Sequence, residues 1–543
     1  MVSRYLRLDV APPEEVLRAL SSLRDELGIS PDFPPEVMAE AEEAAGGSGD
    51  GAAPGGVAPG GPTPEVATVD ATDIPFVTVD PPGSRDLDQA LHLETDGDGL
   101  RVRYAIAAVS TFVTPGGAID REAHARGVTV YGPDGSYALH PPQLGAGVAS
   151  LLEGQNRPAY LWHLRVDATG ALVDARVELA VVRSRAQLTY EEVQAAHDGR
   201  APLPTGVPAD LPRLLRRFGE LRVEQERARG GISLDIPEQS VVRNEHGFVL
   251  SYRATLPVEE WNAQVSLLTG MAAAAMMREA GVGILRTLPE ADPRDVDRLR
   301  RTARALGVEW PRSTPYPELV RSLDSAVPAH AAFLNEATTL FRGAGYLAFG
   351  VGDETGGDAG GVEAGVGEAA GGEAGVGRAR GDAGAEPTNT RHAAIAAEYA
   401  HVTAPLRRLV DRYGLAVCLA HCSGKPVPPW VLDALPGLPA TMSAATRRAG
   451  AYERGAVDAL EALVLRGREG EEFAGVITES DGEVAPPGGT DREDDRRERG
   501  TVELREVAVK GRVEGSSLPV GEEVRVRLVE ADVPGRKVLF SLV

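Results

Sequence analysis

Lysine is nearly missing from this chain: Lys425, Lys510 and Lys537 are the only three in 543 residues. Positive charge is therefore almost all arginine, whose planar fork suits bidentate contact with phosphate and carboxylate. Cysteine is scarcer still, Cys418 and Cys422 alone, which excludes a disulfide framework. These two share a helix face but lack the second pair a structural zinc site needs, so they are expected as buried free thiols. Aromatic residues make up 5% of the chain, so any base-stacking surface must be small. No apolar run approaches the roughly 18 residues of a membrane span. The longest candidate, Ser266 to Met277, contains Thr269 and Gly270 and reads as a buried helix. Met1 to Val10 has charges and no apolar core, so no secretory signal is expected; the protein is placed in the cytoplasm, with no membrane partner.

What is there is a strongly acidic chain of net charge −24. Such a balance argues against indiscriminate adhesion to nucleic acid, yet leaves the local field of a lined channel free to be positive. Residues 1–45 hold a short helical segment: Pro13-Glu14-Glu15 opens a stripe of Val16, Leu17, Leu20 and Leu23. Residues 46–72 form a Gly/Ala/Pro linker. From Asp73 strands alternate with Pro/Gly/Asp turns, then helical stretches follow at Pro212 to Arg229 and Pro257 to Glu279, giving an α+β body over 73–466. Within it, 351–386 is a Gly/Ala/Glu insertion too poor in apolar residues to order itself. Five short strand patterns in 467–543 predict an OB-fold β-barrel.

The run Asp80-Pro81-Pro82-Gly83-Ser84-Arg85-Asp86-Leu87-Asp88-Gln89 is the most informative stretch. If Asp86 opens a strand, Asp86 and Asp88 share a face and the turn can return Asp80 beside them. Converging carboxylates repel unless a cation joins them, and all-oxygen donors favour Mg²⁺ or Mn²⁺, ions used to clamp phosphate oxygens. On spacing alone, an ordinary acidic turn with Arg85 paired to a neighbour accounts for the run at least as well.

The run Ile74 to Leu93 resembles the active-site signature of the ribonuclease II family of exoribonucleases, which carry an RNB domain. Further blocks follow in the family's order: Ala118-Ile119-Asp120-Arg121-Glu122-Ala123, Arg126-Gly127, Val130-Tyr131, Leu188-Thr189-Tyr190, Arg229 to Glu238, and Tyr399 to Arg408. The resemblance implies an RNB-type catalytic body of mixed sheet and helices, and 3′-to-5′ hydrolysis of single-stranded RNA to nucleoside 5′-monophosphates. Mg²⁺ is the implied cofactor, with Mn²⁺ as an alternative. Asp80, Asp86 and Asp88 match three of the family's four metal-organising aspartates, Asp88 the principal catalytic one. Gln89 stands at the fourth, where its amide oxygen can still ligate but carries no charge. Arg407 matches the arginine that neutralises the scissile phosphate, and Arg408 adjoins it on a helix expected to open at Thr403-Ala404-Pro405. Tyr131 and Tyr190 match tyrosines near the 3′-terminal nucleotides, where an aromatic face stacks on any base. Glu453 matches a glutamate near the RNA 3′ end; a surface salt bridge with Arg447 or Arg448 explains it equally well. On the helix from Val258, the register of another family glutamate falls between Glu259 and Asn262.

Departures shape the alternatives. The family's usual His and Asp are Ala105 and Ala108 here, and 1–72 is short for the N-terminal cold-shock domains, so a variant lacking them is expected, as a monomer. With Gln89, these changes make a catalytically weak or silent RNA-binding or regulatory protein the second expectation. A gain of activity in Gln89→Asp would favour it. A phosphoesterase acting on small nucleotides is the third.

Overall fold

The computed structural model describes residues 7–8, 12–46, 67–232, 238–244, 247–253, 255–324, 327–351, 390–481, 498–504 and 509–543. Apart from their edges, the expected linker and insertion lie outside the described residues, as do 233–237 of the Arg229 to Glu238 block.

At the centre is a sheet of β1 (Val69–Asp70), β2 (Phe76–Asp80), β3 (Gln89–Asp96), β4 (Gly99–Ala107), β5 (Asn156–Val166) and β6 (Leu172–Thr189). The order is β1-β6-β2-β3-β4-β5, and β5 pairs back onto β6, so the ladder returns on itself. β1 and β2 run parallel to β6; the other pairs are antiparallel. Along β6 the buried residues Leu179, Ala180, Val182, Ser184, Ala186 and Leu188 recur mostly at alternate positions, the period that points one set of side chains inward. Both faces are covered. On one, Tyr104, Trp162 and Leu164 pack with the helices; on the other, Ala105, Ala107 and Leu161 form a second core. Ala105 and Ala108 are wholly buried, so they serve as packing rather than as polar groups.

The helices used below are α1 (Glu14–Leu27), α2 (Pro35–Gly46), α3 (Ala118–Arg126), α4 (Tyr190–His197), α5 (Leu211–Arg229), α6 (Pro257–Ala280), α7 (Leu409–Ser423) and α8 (Leu438–Leu465). Phe218 of α5, Val265 and Leu268 of α6 and Val417 of α7 fill the first core; Val37 and Ala41 of α2 close the second. The apolar run from Ser266 is buried as expected. It comes close enough to the Tyr399 ring and the Ala400 carbonyl that a Cβ at Gly270 would collide with both.

After α8 comes a closed barrel of β7 (Glu472–Ser480), β8 (Glu498–Leu504), β9 (Lys510–Gly515), β10 (Glu523–Asp532) and β11 (Lys537–Leu542), ordered β7-β8-β9-β11-β10. These are the five expected strands. Val16, Leu20 and Leu23 of α1 share one core with Tyr452 and Leu460 of α8 and with Phe473, Val526 and Phe540 of the barrel.

Three local expectations are corrected. β3 opens at Gln89, not at Asp86, because 81–88 is held as a loop by side chains from elsewhere. The helix expected from Thr403 opens at Leu409, with Arg408 extended at its N-cap; the backbone there pairs with 127–129 instead, the Thr129 amide donating to the Arg407 carbonyl and the Leu409 amide to the Gly127 carbonyl. Cys418 is buried, but Cys422 is exposed. Among the described residues no helix is long and apolar enough to cross a membrane.

Candidate active site

Two chain segments distant in sequence meet where β2 ends and β3 begins, the acidic loop 81–88 and the turn Thr403 to Arg408. The loop begins with Gly83 in the left-handed region, φ 81°, where a side chain would be strained. It is then tied down along its length. Ser84 donates from its hydroxyl to the Pro81 carbonyl at 2.9 Å, and Gln187 donates to the Ser84 carbonyl at 2.7 Å. Ser150, fully buried, donates to the Arg85 carbonyl at 2.6 Å and accepts from the Leu87 amide at 3.0 Å. The Asp88 carbonyl accepts from the Ala107 amide at 2.9 Å. Asp80 ends β2, level with Thr189 of β6, which places it one residue from Tyr190.

The turn is clamped at nearly every residue. The Gln89 side-chain amide donates to the Thr403 carbonyl. Ala404 donates its amide to Asp411 at 2.7 Å, and Leu406 donates to Asp88 Oδ1 at 2.8 Å. The Arg407 carbonyl accepts from the Thr129 amide at 2.9 Å. His140 faces the Pro405 carbonyl, its ring held neutral by burial, with the nearby Arg412 adding to the fall to about 4. Arg408 forks onto the wholly buried Asp411 at 2.8 and 2.7 Å. Arg407 is left reaching across the loop, its Nε 3.2 Å from Asp88 Oδ2.

The electrostatics follow from this enclosure. Asp88 is 3% exposed. Burial pushes its carboxyl up to about 8, against the pull of Arg407 and the Leu406 amide and with Asp86 and Asp411 adding repulsion. Asp80 is pushed up to about 7 by burial, with Arg407 opposing and Asp86 reinforcing. Asp80 Oδ2 is buried and has no hydrogen-bond partner. An orphaned carboxylate oxygen that shares the charges of Arg407 and Asp86 with a second buried carboxyl suits a hard cation, and the donors are all oxygen. Among the described residues no three of Asp, Glu, His or Cys close into a ready-made ligand set. Asp80, Asp86 and Asp88 are the groups that could hold a divalent ion, and Gln89 could add only its amide oxygen, its nitrogen being engaged at Thr403.

The other expected residues distribute unevenly. Tyr131 lies on the short strand Val130–Gly132 and its hydroxyl donates to Asp86 Oδ2 at 3.3 Å. Tyr190 opens α4; burial raises its hydroxyl, and Asp80, Arg407 and Asn262 surround it. Arg408 belongs to the framework through Asp411. Glu453 sits on α8 beside Tyr452, whose hydroxyl reaches Asp134 at 2.6 Å; the charges acting on Asp80 and Asp88 come instead from Asp86, Arg407 and Asp411. On α6, Glu259 caps its own helix by accepting from the Leu256 amide at 3.0 Å, and both its charge and the Asn262 side chain act on Tyr190. The sequence reading missed Ser150, Gln187 and Asp411. Their only signal in the sequence was polarity at positions that otherwise read as a turn, a strand and a helix.

The chain is similar to known proteins over most of its length. Residues 68–416 match the RNB domain family, and 471–543 match the RNase II-type exonuclease C-terminal S1 domain. Ribonuclease R of Aquifex aeolicus is 28% identical over 413 residues, covering 74% of this chain and 53% of that protein, so the chain spans about half the length of that relative. The apo form of Mycoplasma genitalium RNase R superposes with a TM-score of 0.73 at 18% identity, covering 98% of this chain and 78% of that one. Yeast Ssd1, described as a pseudonuclease, superposes with a TM-score of 0.58 at 14% identity, covering 86% and 53%. The fold thus serves both a nuclease and a pseudonuclease.

Proposed function

Because this chain belongs to the RNB-domain family, we propose that it is a 3′-to-5′ exoribonuclease that hydrolyses single-stranded RNA to nucleoside 5′-monophosphates with a divalent cation. One observation carries the reading: Asp88 is held buried between the Leu406 amide and Arg407, while Asp80 keeps an orphaned oxygen and Asp86 adjoins both. Asp80, Asp86 and Asp88 would hold Mg²⁺ or Mn²⁺. Such an ion supplies Lewis acidity to a phosphate oxygen and a more acidic bound water. The turn fixes Arg407 before substrate arrives, so its guanidinium can exchange Asp88 for a phosphate oxygen and offset charge that grows as the 3′ oxygen leaves. Tyr131 and Tyr190 would stack on the terminal bases, and stacking is indifferent to sequence.

A second reading, a silent RNA-binding protein, is favoured by Gln89 standing where the family carries a carboxylate. The deciding experiment incubates 5′-labelled single-stranded RNA with wild type and Asp88→Asn, in Mg²⁺ and in Mn²⁺, on a denaturing gel. Shortening to a limit product by wild type alone supports exonucleolytic chemistry at the aspartates. Intact RNA in every lane, with binding measured separately, overturns it in favour of the silent reading.

A further inference from the structure

We infer that Gln89 is a positioning residue for Arg407: its side-chain amide anchors the Thr403 carbonyl, and with it the turn that carries Arg407, through a donor that a carboxylate at this position could not provide. The inference rests on the exoribonuclease reading of the same site. A carbonyl oxygen only accepts, so the group of Gln89 facing Thr403 must be its NH₂. Thr403 is 4% exposed, so removing that donor would leave its carbonyl poorly solvated.

The pattern of anchors explains why this bond matters to Arg407. Asp88 and Gln89 are consecutive, at the mouth of β3, and they grip the turn at two points: Gln89 at the Thr403 carbonyl, Asp88 at the Leu406 amide. Asp411 takes the Ala404 amide between them. An acidic side chain in place of Gln89 would direct an anionic oxygen at the Thr403 carbonyl oxygen, and an aspartate would also be one methylene short. It would further crowd negative charge beside Asp80 and Asp88, both already buried. The same amide accounts for the family departure: one negative charge is replaced by a neutral clamp, and the arginine turn gains an anchor from the strand that leads out of the acidic loop. Restoring an aspartate would therefore weaken this site.

The test compares Gln89→Met, close in shape but without a donor, and Gln89→Asp, each in wild-type and Arg407→Met backgrounds. Melting temperature is recorded for all, Mn²⁺ alone is titrated by EPR, and RNA cleavage is measured for turnover and KM. Expected results are a loss of turnover of about tenfold in Gln89→Met, the scale of one buried hydrogen bond, with KM and Mn²⁺ affinity within about twofold. Gln89→Asp should lose turnover at least as severely. With Arg407→Met present, Gln89→Met should cost no more than about twofold further, because its effect passes through the arginine. A gain of turnover in Gln89→Asp, a tenfold loss of Mn²⁺ affinity in Gln89→Met, or full additivity with Arg407→Met overturns the inference. If wild type cleaves nothing, the activity reading has failed, and single-stranded RNA affinity in EDTA takes its place. There, loss of affinity in Gln89→Met that vanishes with Arg407→Met supports the positioning role, and equal loss in both backgrounds refutes it.

Discussion

Replacing Arg407 with methionine removes the cation that opposes burial at both raised carboxyls. Arg407 Nε lies 3.2 Å from Asp88 Oδ2. At an effective dielectric of about 20, a pair at that distance interacts by about 5 kcal/mol. The Arg407 side chain is 34% exposed, so solvent and ions screen most of this, leaving about 1–2 kcal/mol, or about one pH unit. With Arg407 present, Asp88 and Asp80 stand at about 8 and about 7. Without it both should rise by about one unit. The assay is the pH dependence of RNA cleavage at sub-saturating divalent ion, where activity climbs as the carboxyls ionise. The rising limb should move to alkaline pH by about one unit in Arg407→Met, on top of a 10²- to 10³-fold fall in turnover of the size seen when a charge-stabilising donor is lost. KM should change less than turnover. An unmoved limb, or equal losses in turnover and binding, would refute the placement of Arg407 as the counter-charge of this site.

Asp411→Ala strands the Arg408 guanidinium and the Ala404 amide in a buried setting; urea unfolding should show a loss of about 3–5 kcal/mol, and cleavage should fall with it. In the ion-free protein, Asp80 and Asp88 bind protons more tightly folded than unfolded, where an aspartate sits at about 3.9. The stability this linkage provides is whole below pH about 4 and is lost as pH rises through about 7 and then about 8. Urea midpoints should accordingly fall between pH 5 and 8.5, and the slope should flatten in Asp80→Asn/Asp88→Asn or on adding Mn²⁺.

Elements set by local pattern were legible in the sequence. Period-2 alternation gave the barrel strands, and the apolar stretch from Ser266 gave the interior of α6, because both signals lie within a few residues of one another. The acidic loop was legible as a cluster but not as a conformation. Its shape depends on Ser150 and Gln187, far along the chain, and no spacing within Asp80 to Asp88 encodes them. The turn at Thr403 misled for a related reason. Threonine followed by alanine and proline is a good helix opening by local propensity, yet the backbone of 407–409 pairs with the distant segment 127–129, which takes the Arg407 carbonyl that a continuing helix would need. Gln89 was legible as a departure. Which of its two amide atoms mattered became clear only once Thr403 was found opposite it.

The shared core of α1, α8 and the barrel bears on how the chain folds. Val16, Leu20 and Leu23 are apolar residues whose core includes Val130 and Tyr137 but is completed only after more than four hundred further residues have been synthesised, since Leu460, Phe473 and Phe540 lie at the far end of the sequence. During that interval the apolar stripe of α1 is only partly matched. Closing a loop of that length costs little more in entropy than closing one of half the size, but it comes late, and such distant pairings slow assembly. The helix made first among the described elements therefore completes its packing only when the barrel is made, so the barrel and α1 should protect or release each other as one cooperative unit.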